Sequence, residues 1–154
     1  MKIGIIFYSF SGFTSSVSKK LTKRLSLDGY EVGMEKLEPA GKLDVRVLRT
    51  ELKSIPCIED YDKLVIASPV HGGRIASPMA EFLEKTPSMM NKQVVCLVTH
   101  FLPYSTGGAQ TVLLLKSALE AKGGKFIGSE NIPTLCLRQK AKIDRTIDLL
   151  EGAG

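Results

Sequence analysis

Hydroxyl side chains crowd one short stretch near the start of the chain, where Ser9, Ser11, Thr14 and Ser15 surround Gly12, with Phe10 and Phe13 between them. These residue types suit phosphate chemistry. Hydroxyls and small-residue amides donate to phosphate oxygens, and a helix starting behind them adds the positive end of its dipole. No Lys or Arg lies between residues 9 and 18, so an anion held here is held by amides and hydroxyls alone. The Gly-Lys-Ser/Thr ending that grips a nucleoside triphosphate is missing, as is a Gly-x-Gly-x-x-Gly dinucleotide fingerprint. A single phosphate monoester is the remaining fit. The same hydroxyls would equally satisfy the first amides of an ordinary capped helix.

Two later stretches carry further side chains able to contact a ligand. One is Pro69-Val70-His71-Gly72-Gly73-Arg74; the other begins at Thr99, His100 and Phe101 and continues through Tyr104 to Gly107 and Gly108. Histidines and aromatic rings can pack against a planar ligand, and glycines let backbone approach it. Plainer roles are open to each of them. His71 would serve to cap a turn and His100 to end a strand, Phe101 and Tyr104 would serve as loop anchors, and the glycines as tight turns.

The elements around these stretches read as an alternation of strands and helices. Ile3 to Tyr8, Lys63 to Ser68 and Gln93 to Val98 are short and almost wholly apolar, the pattern of strands buried on both faces of a parallel sheet. Tyr30 to Leu37 reads as an outer strand, and Phe126 to Leu137, broken by Pro133, as the last one. Val17, Leu21 and Leu25 recur at helical spacing, as do Met79, Phe82 and Leu83 after Pro78, then Val112, Leu115 and Leu119, and finally Ile143, Ile147 and Leu150. Between residues 39 and 60 the spacing of Leu43, Val47, Leu48 and Leu52 suggests another helix, ended by Pro56. Such alternation predicts one α/β domain with helices on both faces of the sheet. If the strand order is 2-1-3-4-5, the loops after the first, third and fourth strands share one crevice at the carboxyl edge.

Composition narrows the class. With 154 residues, 44% hydrophobic and 24% charged, the chain suits a single soluble globular domain spanning 1–154. The net charge of +5 raises nucleic-acid binding as a rival, but the basic residues are dispersed and no recognition motif appears. No apolar run approaches a membrane span, and the first strand lacks the pattern of a secretory leader. Cys57, Cys96 and Cys136 are scattered, which argues against a disulfide framework or a zinc site and predicts a reducing, cytoplasmic setting. A phospho-accepting receiver would need acidic residues where Ser9 and Ser68 stand. A low-molecular-weight phosphatase would need a cysteine near the first helix, and none precedes Cys57.

Taken together, the three stretches resemble the flavodoxin-like family. Ser9-Phe10-Ser11-Gly12-Phe13-Thr14 is similar to its Thr/Ser-x-Thr-Gly-x-Thr phosphate loop. Ala67 to Arg74, followed by Ser77-Pro78-Met79, resembles the second flavin loop of the reductase branch, and Gly107-Gly108 with the later Gly123-Gly124 resembles the helix start that follows the third. The resemblance implies a flavodoxin-like, doubly wound, five-stranded parallel sheet of order 2-1-3-4-5, and FMN as cofactor. Its phosphate would lie against Ser9, Ser11, Thr14 and Ser15 and the amides of Gly12 and Phe13, with Phe10 nearby. Pro69, Val70, His71, Gly72 and Gly73 would follow the isoalloxazine edge. Thr99, His100, Phe101 and Tyr104, then Gly107 and Gly108, would complete the site. The implied activity is electron transfer between a reduced donor such as NAD(P)H and a quinone-like acceptor or a partner protein, with a non-enzymatic shuttle as the alternative. Electron-carrying members are typically acidic, whereas residues 99–115 contain no Asp or Glu.

Overall fold

The computed structural model describes residues 1–41, 50–71, 73–101, 107–134 and 137–152. The apolar runs become the centre of a parallel sheet. Strand β1 (Lys2–Phe7) lies between β2 (Glu31–Lys36) and β3 (Lys63–His71), and β3 is followed outward by β5 (Gln93–His100) and β6 (Lys125–Pro133). All four of these pairings are parallel. The expected order of five parallel strands is therefore found. It carries one addition, a two-residue strand β4 (Arg74–Ile75) that turns back antiparallel onto the end of β3, pairing Val70 with Ile75 and His71 with Arg74.

Side chains of the inner strands alternate between two separate cores, which is why the runs are apolar at every position. Ile3, Ile5, Phe7, Val65, Ala67, Val95 and Leu97 face α1 (Phe13–Leu27) and α4 (Gln139–Gly152), meeting Val17, Leu21, Leu25, Ile143, Ile147 and Leu150. On the opposite face Ile6, Leu64, Ile66, Val94, Cys96 and Val98 meet α2 (Ser77–Lys85) and α3 (Gly108–Ala121) through Met79, Phe82, Leu83, Leu115 and Leu119. Each fully buried Leu, Ile or Phe contributes about 1.5–3 kcal/mol. On the α1–α4 side, Lys63 buries its stem and donates through its Nζ to the Leu150 carbonyl, tying the start of β3 to the end of α4.

One helix expectation fails where it can be checked. Leu52, placed by its spacing in a helix, instead forms an isolated antiparallel bridge with Pro39 and packs against the α2–α3 core. Leu43, Val47 and Leu48, from the same expectation, lie outside the described residues, as does Cys136. The other helices start and end close to the expected places, with Pro78 in the first turn of α2 and Gly29, at φ +95°, just beyond α1.

Because β1 and β3 are adjacent while β2 lies outside β1, the strand order reverses between them. A crevice must open above their carboxyl ends.

Candidate functional site

The first loop leaves β1 at Phe7 and enters α1 through Gly12, whose φ of +94° is a left-handed conformation that favours glycine. Ser9 organises this turn. Its Oγ accepts the amide hydrogens of Gly12 at 3.1 Å and Ser15 at 3.2 Å, so it takes the capping role that Gly12 cannot. No acidic residue stands in the first turn of α1, leaving the positive end of the helix dipole uncompensated by side chains. Thr14 reaches across to the sheet. Its Oγ1 lies 2.8 Å from Thr99 Oγ1, a buried pair that clamps the first loop to the end of β5.

The second loop is less of a loop than expected. Strand β3 runs on to His71, so Pro69, Val70 and His71 are strand residues, with Pro69 in register with Thr99. Gly73, at φ +76°, precedes the return strand β4. His71 is only 8% exposed, and its Nδ1 is buried with no hydrogen-bond partner among the described residues. The ring stands edge-on to Tyr8 at 5.7 Å and to Phe10 at 5.3 Å. Burial there disfavours the charged imidazolium and lowers the His71 pKa from its ordinary value.

His100 ends β5, and its Nε2 lies 3.1 Å from Asn131 Oδ1, while its carbonyl accepts the Thr134 amide at 2.8 Å. Phe101 follows it into solvent at 79% exposure, and Phe10 is 59% exposed on the first loop. Large apolar side chains so exposed beside a cleft usually mark a binding surface. At the start of α3, Gly107 has φ +85°, and a Cβ there would fall 2.2 Å from the Gly73 carbonyl oxygen. The second and third stretches thus touch through bare backbone.

A cavity of about 160 Å³ lies where these pieces meet. Its walls take Phe10, Ser11, Phe13 and Thr14 from the first loop, Pro69, Val70 and His71 from β3, and Thr99, His100 and Phe101 from the end of β5. Ser9, Gly12 and Ser15, joined through Ser9 Oγ, are not among its wall residues, and Gly107, against Gly73, and Gly108 open α3. Gly72 and Tyr104 lie outside the described residues. Sequence reasoning missed Thr134, which also lines the cavity. Its signal was its place one residue after Pro133, at the carboxyl end of the last strand.

The donor set fits a phosphate ester carrying a flat ring. Ser11 and the turn built on Ser9 lie at the positive end of α1, where a phosphate is favoured. The orphaned His71 Nδ1 offers one unused hydrogen-bonding site to a polar ring edge, and Phe10 and Phe101 offer apolar surface.

No family model matches the chain. Solved structures share its fold over nearly its whole length. Flavodoxin 2 from Bacillus cereus has a TM-score of 0.73 at 18% identity, with 99% of each chain covered. The flavodoxin of Streptococcus pneumonia TIGR4 has a TM-score of 0.72 at 12% identity, covering 100% of both. The chain also matches part of the flavo di-iron protein from Thermotoga maritima, with a TM-score of 0.69 at 21% identity, covering 99% of this chain and 35% of that one.

Proposed function

From the flavodoxin fold and this cleft, we propose that the protein binds FMN as a single domain and acts as an oxidoreductase, passing electrons between a reduced donor such as NAD(P)H and a small acceptor or a partner protein. The observation that carries the reading is the convergence of the hydroxyl loop, the β3 hairpin and the end of β5 on one cavity at the strand-order reversal. Flavodoxins of the same fold at full coverage support the choice of FMN among phosphate esters.

Bound FMN would supply the electron chemistry. The protein's part is binding and tuning. Ser9, Ser11 and the amides at the start of α1 would hold the phosphate, with Thr14 held in place by Thr99. Phe10 and Phe101 would keep water from the ring, and His71 Nδ1 would share a proton with a polar ring atom. The exposed thiol of Cys57 and the buried thiol of Cys96 suit a reducing compartment such as the cytoplasm. Among the described residues, no helix is long and apolar enough to cross a membrane.

The test is to load the protein with FMN, pass it through gel filtration, and compare Ser11→Ala with the wild type. The reading expects co-eluting flavin absorbance that weakens in the variant, and steady oxidation of NAD(P)H when a quinone is supplied. Retained flavin with negligible turnover would point to the non-enzymatic shuttle. No retained flavin in the wild type would overturn FMN binding itself.

A further inference from the structure

The acidic residues of this chain avoid one edge of the sheet. Residues 8–27, 67–80, 99–119 and 131–143 contain no Asp or Glu, although the chain has sixteen. These four segments run from the ends of β1, β3, β5 and β6 into the helices that follow them, taking in all of α1, the first turn of α2, most of α3 and the first turn of α4, so that Arg74, Arg138 and Lys140 are cations at or near the helix starts. The same segments hold Lys19, Lys20, Lys23, Arg24, Arg74, Lys116, Arg138, Lys140 and Lys142. Arg24 is neutralised by Asp144, Lys116 by Glu120 and Lys142 by Glu130. Lys19, Lys23, Arg74, Arg138 and Lys140 have no carboxylate within ion-pair distance among the described residues, and Lys20 meets only Gln139. At the remaining strand, β2, the following segment carries Glu38, which is paired with Lys53.

Two features mark this positive surface. Phe10 and Phe101 expose apolar rings at the cleft. A separate groove of about 340 Å³, sharing no wall residue with the cleft, follows the later turns of α1 and the first turn of α4, with Lys20, Lys23 and Lys140 on its walls and Leu27 and Ile143 among its apolar lining. We infer that this face docks an acidic redox protein, one that presents carboxylates around an apolar patch at its own electron-transfer centre. The inference rests on the FMN reading, because it is the cofactor edge that a redox partner must reach. A partner of that charge would be steered to the cleft and an equally basic one repelled from it. Exposed aromatic rings amid separated cations suit a protein surface better than a phosphate backbone, whose binding draws on dense runs of basic residues.

Small charged oxidants probe the field at the cofactor directly. Reduced, FMN-loaded protein would be mixed in a stopped-flow instrument with hexacyanoferrate(III) or hexaammineruthenium(III), two equivalents of either accepting one electron each. Raising the ionic strength from about 10 mM to about 500 mM is expected to slow the anionic oxidant about fivefold or more and not to slow the cationic one. An Arg74→Glu, Arg138→Glu, Lys140→Glu variant that still retains FMN should reverse that order. In parallel, an acidic [2Fe–2S] ferredoxin should bind the wild type at low salt and fail to bind the variant. Retained FMN with no salt effect, the opposite salt effect, or an unaltered order in the variant would overturn the docking inference and leave the cofactor reading standing. So would tight binding of duplex DNA at about 150 mM salt, which would assign the face to nucleic acid. Failure to retain FMN would sink both.

Discussion

Replacing Gly107 by alanine tests whether the second and third stretches of the site are packed against each other as bare backbone. Two costs add at this position. The φ of +85° is strained for any residue with a Cβ, at about 1–2 kcal/mol. The new Cβ would also lie 2.2 Å from the Gly73 oxygen, 2.4 Å from its carbonyl carbon and 2.6 Å from its Cα. All three are backbone atoms, so relief requires moving a turn, an overpacking cost of about 1–3 kcal/mol. Gly12 is the built-in control. Its φ of +94° carries similar strain, but nothing lies within 4 Å of its Cβ position. Gly12→Ala should therefore lose about 1–2 kcal/mol of urea-unfolding stability and Gly107→Ala about 2–5 kcal/mol. With Gly73 displaced, the β3–β4 turn shifts and FMN affinity should fall by about tenfold or more, equivalent to ~1.4 kcal/mol. Equal losses in the two variants, with unchanged FMN affinity in Gly107→Ala, would refute the close approach of these loops.

Three further outcomes follow from the same site. Thr99→Val leaves the buried Thr14 hydroxyl without its 2.8 Å partner and should cost about 1–3 kcal/mol in denaturant unfolding, and adding Thr14→Val should restore part of that loss, whereas simple additivity would contradict the pairing. Ser9→Ala removes the acceptor shared by the Gly12 and Ser15 amides and should lower stability by about 0.5–2 kcal/mol, seen as a drop in melting temperature of the ligand-free protein. His71 has a folded pKa below its unfolded one, so between those values the unfolded chain binds more protons. Its contribution is fully present above about pH 6.5 and is lost as pH falls from there toward the folded pKa. Urea midpoints between pH 7.5 and 5.5 should thus decline in the wild type and flatten in His71→Phe.

The strands were legible where burial on both faces left no polar position, as in Ile3 to Tyr8 and Gln93 to Val98, and their order followed from the resemblance of the three loops to a known fold. Strand β4 was not read, although Gly72-Gly73 between Val70-His71 and Arg74-Ile75 is a two-residue hairpin signal. Reading the stretch as a loop hid the extension of β3 to His71. Leu52 misled because a four-residue apolar spacing records burial but not the backbone that achieves it; here an antiparallel bridge to Pro39 brings it to the core. Contacts that join distant segments left no local trace. Thr14 and Thr99 are 85 residues apart, and nothing in either segment signals their shared hydrogen bond. For the same reason the hydroxyls of the first loop looked equivalent in sequence, whereas the fold divides them. Ser9 caps, Thr14 clamps and Ser11 faces the cavity.

If this loop holds the phosphate of FMN, the protein must distinguish FMN from riboflavin, which differs only by that phosphate. Quenching of flavin fluorescence in a titration with purified apoprotein gives both affinities. One equivalent of FMN is expected to bind, about a hundredfold or more tighter than riboflavin, a gap of ~2.7 kcal/mol from charge-assisted hydrogen bonds at a helix start. Equal affinity for the two flavins, or no binding of either, would contradict it.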